Sequence, residues 1–107
     1  MEKRVKRYLP MTESAFYILL ALTEPRHGYG IIKQVEEMTS GRLKLGSGTI
    51  YGTLTKMQDD DMITVYADEK RKTIYEVTDI GKQILRLEFD RLDELHANKE
   101  RYKGEFE

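Results

Sequence analysis

Apolar and polar positions follow three rhythms along this chain. Ala15, Phe16, Ile18, Leu19, Leu20 and Leu22 leave the stretch "TESAFYILLALTE" almost without a polar face. A helix that is apolar on most sides belongs at the centre of a core. Thr12 can cap it, and Glu13 in its first turn suits the helix dipole. Pro25 and Gly28 then mark a turn. A second helix is predicted over about 29–39, with Ile31, Ile32, Val35 and Met38 inward and Lys33, Gln34, Glu36 and Glu37 outward. Gly41 is a good stop for it. Leu43 and Leu45 alternate in "RLKLGS" and can pin that linker to the core.

Ile50, Leu54 and Met57 restore a helical period, predicting a third helix over about 48–60 with Ser47 as its cap. Asp61 sits where a left-handed residue is expected, a conformation Asp tolerates better than most. The rhythm then drops to two. "MITVYA" (62–67) and "KTIYEV" (72–77) are rich in β-branched and aromatic residues and read as strands around a polar tip, "DEKR". Thr78 caps a long last helix over about 79–102, with Asp79 in its first turn. Helix, helix, helix, strand, strand and long helix is a mainly α (α+β) order. It predicts a winged helix-turn-helix whose third helix is the recognition helix. The expected division is a winged-helix domain over 1–78, led by a basic arm at 1–8, and a C-terminal helix and tail over 79–107.

The third helix begins oddly. "GSGTIYGTLTKM" (46–57) holds three glycines and no acidic residue, although glycine costs a helix about 1 kcal/mol against alanine. A recognition helix enters the major groove by its N-terminal end, where free N–H groups favour a phosphate. Small residues let the backbone approach DNA, and an acid there would repel it. Ser47, Thr49, Tyr51, Thr53 and Lys56 then offer hydroxyls and a cation on faces the core does not use. The plain alternative is a flexible helix start with solvated hydroxyls. At the hairpin tip Lys70, Arg71 and Lys72 place three cations where a wing flanks the DNA backbone. A run of this kind is also common in an ordinary solvated loop.

The bulk numbers refine this picture. With 107 residues the chain is one domain with an appended helix, small enough to gain from oligomerisation. The net charge is −1, but residues 1–58 carry nine Lys/Arg against five Asp/Glu, and residues 59–107 nine against fourteen. Such a chain can present a basic face while staying acidic overall. It has no cysteine, and His27 and His96 lie far apart, so no metal-ligand pattern appears. Neither histidine has an evident triad partner, and "DDD" (59–61) lacks the spacing of a calcium loop. No enzyme activity and no cofactor are expected. No apolar run nears the roughly 20 residues that span a membrane, and Ile18–Leu22 is too short for a signal peptide, so a cytoplasmic protein is expected.

In the last helix Ile84, Leu87 and Leu95 fall near one stripe and Leu85, Phe89 and Leu92 form another. One stripe can pack on its own domain and the other on a partner. Alternatively, both are intramolecular.

Taken in order, "LALTEPRHGYG", "HGYGIIKQVEE" (27–37), "GSGTIYGTLTKM" and "TIYEVTDIGKQIL" (73–85) resemble the PadR family of bacterial transcriptional regulators, over about residues 10–96. The length is similar to the branch with a single C-terminal helix. The resemblance implies a homodimer bound to double-stranded DNA, usually a repressor, on a pseudo-palindromic operator with half-sites roughly 34 Å apart. It maps the recognition helix onto Ser47–Met57 and the wing onto about 67–72, and Tyr51 matches a tyrosine common in that family. Gly52 stands in place of a frequent proline and Asp61 in place of a glycine. Related short regulators hold flat aromatic drugs between subunits. By that likeness Leu92 takes the stacking position, with Phe89 and His96 a turn to either side. With no tryptophan in the chain, Phe89, Leu92, Leu85 and Leu95 read first as interface core and second as contacts for a small hydrophobic effector. The rival reading is a winged-helix module that binds protein and not DNA.

Overall fold

The computed structural model describes residues 7–107. Residues 1–6 of the expected basic arm lie outside the described residues. Helix α1 (Glu13–Ala21) starts as its sequence predicts, with Thr12 Oγ1 accepting from the Ala15 N–H at 3.1 Å. Ile18, Leu19 and Leu22 are fully buried, so α1 is the axis of the core. A two-residue strand follows, β1 (Arg26–His27), pairing antiparallel with the later strand β3 (Lys72–Val77). Two residues carry no period, so the sequence predicts only the hairpin and not this third strand.

Helix α2 (Gly28–Met38) is capped by His27, whose Nδ1 accepts from the Gly30 N–H at 3.3 Å. It ends in two successive left-handed residues, Ser40 and Gly41 (φ 52° and 82°). The Gly41 N–H reaches back to the Glu36 carbonyl at 2.7 Å, which is the expected glycine stop. Leu43 and Leu45 lie against the core, and Arg42 holds Glu13 with two hydrogen bonds of 2.9 and 3.0 Å.

Helix α3 (Ser47–Asp59) buries Ile50, Leu54 and Met57. Its cap is Gly46 and not Ser47, and no side chain accepts from its first turn. Ser47 is already the first helical residue, so its hydroxyl is not in the capping position. Asp61 is left-handed (φ 60°) as expected.

Strand β2 (Ile63–Glu69) pairs antiparallel with β3 from Ile63↔Val77 to Glu69↔Lys72, and the sheet order is β1-β3-β2. The register shifts between Val65 and Ala67, leaving Tyr66 as an extra residue. Asp68 and Glu69 belong to the strand, so the turn is only Lys70 and Arg71, both at positive φ (45° and 69°).

Thr78 caps helix α4 (Asp79–Tyr102) by accepting from the Gly81 N–H at 3.1 Å, and donates to the Asp61 carbonyl at 2.6 Å. Here glycine is required by contact, because a Cβ at position 81 would lie 2.3 Å from the Met62 carbonyl oxygen. Ile84 and Leu85 are buried in the core of this chain. From Leu92 onward every residue is exposed, including the short 3₁₀ turn Lys103–Phe106. The helix is therefore divided along its length: Ile84 and Leu85, from different expected stripes, are both buried, and Leu95 and Leu92, again from different stripes, are both exposed. Leu85, expected at the interface, is 3% exposed within this chain.

One buried charge went unpredicted. Glu88 is 1% exposed, accepting from the Met11 N–H at 3.2 Å and from Arg91 Nε at 2.7 Å. Burial alone would raise its carboxyl, but the Arg91 guanidinium and the Met11 N–H outweigh that and hold it below the usual carboxylate range.

Candidate nucleic-acid interface

The first turn of α3 is bare. Gly46 and Gly48 have nothing within 4 Å of where a Cβ would sit, and Ser47 and Thr49 are exposed. The backbone N–H groups there receive no cap, and the turn holds no carboxylate. A partial positive charge is left facing outward.

Tyr51 stands one turn further on, half-exposed, with its ring against Gly28 at the start of α2. A Cβ on residue 28 would fall 2.8 Å from the Tyr51 hydroxyl, so glycine there lets the tyrosine lie across the junction of α2 and α3. This junction opens into a groove of about 330 Å³. Tyr51, Tyr29 and His27 line one side, and Arg71, Lys72, Thr73 and Tyr75 of the hairpin line the other. No acidic residue lines it. The fold thus joins Tyr51 to two of the three wing cations, 20 or more positions away in sequence, while Lys70 stands at the tip outside the groove lining.

The groove includes residues the sequence reading did not select. His27 and Tyr29 stack with planes 3° apart and centroids 6.5 Å apart, and Lys33 Nζ sits 5.1 Å from the Tyr29 ring centre. The signal was present in "HGYG", but only as a family likeness, because the chemistry needs the hairpin to complete it.

Thr53 and Lys56 turn elsewhere. They line a separate cavity of about 550 Å³ with Tyr8, Pro10, Met11, Ala15 and Asp60. Lys56 Nζ lies 3.9 Å from the Asp60 carboxylate and 5.8 Å from the centre of the Tyr8 ring. Tyr8 donates to Asp60, and burial together with that hydrogen bond pushes the phenol up, so it stays a donor.

On the exposed part of α4, Phe89, Leu92 and Leu95 are 43%, 38% and 52% exposed. Phe89 meets Phe16 edge-on at 6.1 Å, and His96 lies 3.8 Å from Glu100. Among the described residues no cluster of His, Asp and Glu could hold a metal ion, and no helix is long and apolar enough to cross a membrane.

The winged helix-turn-helix core coincides with a known family. The model of the transcriptional regulator PadR-like family matches residues 18–87. The chain belongs to this family. Its members are transcriptional regulators and not enzymes. Transcriptional regulator YqjI of Escherichia coli (strain K12) is 34% identical over 83 residues, covering 77% of this chain. The chain spans 40% of the length of that relative. A transcriptional regulator from Clostridium thermocellum has the same fold with a TM-score of 0.70 at 18% identity, over 95% of this chain and 97% of that one. Bacillus subtilis PadR, solved in complex with operator DNA, aligns with a TM-score of 0.60 at 29% identity. The match covers 72% of this chain and 46% of that one.

Proposed function

We propose that this PadR-like regulator binds DNA sequence-specifically as a homodimer and represses transcription from a pseudo-palindromic operator. The observation that carries this reading is the acid-free groove, where Tyr51 of α3 faces Arg71 and Lys72 of the wing beside an uncapped helix start. Ser47, Thr49 and Tyr51 meet the DNA from the helix, and Lys70, Arg71 and Lys72 hold the backbone from the wing. Thr53 and Lys56 are placed further along the same helix. The operator complex of Bacillus subtilis PadR supports the same use of this fold. Residues 1–78 form the DNA-binding unit, and 79–107 pair with a second copy through Phe89, Leu92 and Leu95. That apolar face, with His96 at its edge, is also where a small hydrophobic effector would lift repression. The place of action is the cytoplasm, with the chromosome.

The test is a gel shift on DNA from upstream of the protein's own gene, at several salt concentrations, beside scrambled DNA. Salt-sensitive preference for the upstream DNA is expected. Replacing Lys70, Arg71 and Lys72 together with Ala should make the slope of log K against log salt shallower by up to about 2.7, at roughly 0.9 per phosphate contact. An unaltered slope removes the wing from the interface. Equal binding to both DNAs moves weight to a module that binds protein.

A further inference from the structure

Helix α4 carries the dimer face, while α3 carries the DNA face. The two pack mainly on different elements, α4 on α1 and β3, and α3 on α2 and β2. The start of α4 is tied to the residues after α3 by the Thr78 hydrogen bond to the Asp61 carbonyl, and a short segment before α1 adds a second link, from the end of α3 to the middle of α4. At one end the Met11 N–H donates to the buried Glu88 of α4, whose other oxygen is held by Arg91. At the other end the Tyr8 hydroxyl donates to Asp60, the residue that closes α3. Arg7 and Lys56 approach the same carboxylate at 4.0 and 3.9 Å. Only Leu9 and Pro10 separate the two anchors, and Pro10 has a fixed φ, so the link is short and stiff. Beneath it the cavity of about 550 Å³ separates α3 from the start of α1 at Ala15. Met57 anchors the end of α3 in the core, and on the cavity side polar contacts of Asp60 add to that packing.

We propose that Tyr8–Met11 is a strap that sets the separation of the two recognition helices in the dimer, with Tyr8, Asp60 and Glu88 as positioning residues. The inference rests on the homodimeric DNA-binding reading above. A directional hydrogen bond adds a fixed donor–acceptor distance to the packing between elements. Glu88 refers the strap to the helix that meets the partner, and Asp60 transfers that reference to the helix that meets DNA. The strap therefore governs the half-site spacing the protein accepts, without itself reading a base.

The experiment uses the full chain and a two-fold DNA recovered by the wild-type protein from a random library. One base pair is then inserted or removed between the half-sites. Wild type should lose about ten-fold in affinity for either change. Tyr8→Phe keeps the ring and loses the pin. It should bind the parent DNA several-fold more weakly and lose less than about three-fold on respacing, with its melting temperature nearly unchanged. Asp60→Asn keeps an acceptor and should retain the wild-type profile. Asp60→Ala removes the link from the other side and must flatten the profile as Tyr8→Phe does, which provides the decisive variant if Tyr8→Phe fails to fold. A wild-type spacing profile in the folded pin-less variants overturns the strap alone. A wild-type protein that selects no two-fold DNA overturns the DNA-binding reading, and the strap with it.

Discussion

Helices α3 and α4 begin in opposite ways. At α4, Thr78 accepts from the Gly81 N–H, Asp79 supplies the negative charge the dipole favours, and Gly81 is pressed against the Met62 carbonyl. At α3, Gly46 offers no side chain, the first turn holds no acid, and Gly46 and Gly48 face open space. The first start is completed within the protein. The second leaves its donors to be satisfied from outside, which is a poor arrangement for an isolated helix and a suitable one for a phosphate. Glycine therefore has two meanings here. Gly81 is required by the fold, whereas Gly48 faces open space beside an uncapped helix start.

Substitutions sharpen this contrast in descending order of effect. Gly81→Ala forces a Cβ into backbone and should destabilise by about 3 kcal/mol in chemical denaturation. A loss below about 1 kcal/mol would mean that the Met62–Gly81 contact yields easily. Thr78→Ala removes the cap and should cost about 1 kcal/mol, with little change in DNA affinity. Gly48→Ala should gain about 0.5 kcal/mol, because nothing opposes the added methyl and the unfolded chain loses freedom. A loss of stability at position 48 would erase the distinction between the two starts. Gly46→Asp should change stability by only a few tenths of a kcal/mol, yet weaken DNA binding by about ten-fold or more through charge placed at the phosphate site. Unchanged binding in a gel shift would show that the bare start is not where DNA sits.

Most of the fold was legible because its signals are local. The buried set Ile50, Leu54 and Met57, the caps Thr12 and Thr78, and left-handed Asp61 each follow from neighbours within a few positions. Contacts that close over long separations were not legible. β1 exists only because Arg26 and His27 meet Tyr75 and Ile74. Glu88 reads as one more polar residue on a charged helix until Met11 arrives from 77 positions away. The candidate site divides in the same way. Tyr51, Arg71 and Lys72 could be selected by residue type and position, but their shared groove needed the wing folded back over α2. Ser47 failed as a cap by one residue, a shift that hydrophobic period cannot resolve.

The uncovered end of α4 has a consequence for dosage. Beyond Arg91 every residue of the helix is exposed, and an isolated helix of that length is marginal in water. If a second copy supplies the missing cover, order in this segment is purchased by assembly, and operator occupancy at low expression scales with the square of protomer concentration. Halving the amount of protein would then cut the active species about four-fold, by mass action. A regulator built this way would respond to its own abundance more steeply than in proportion.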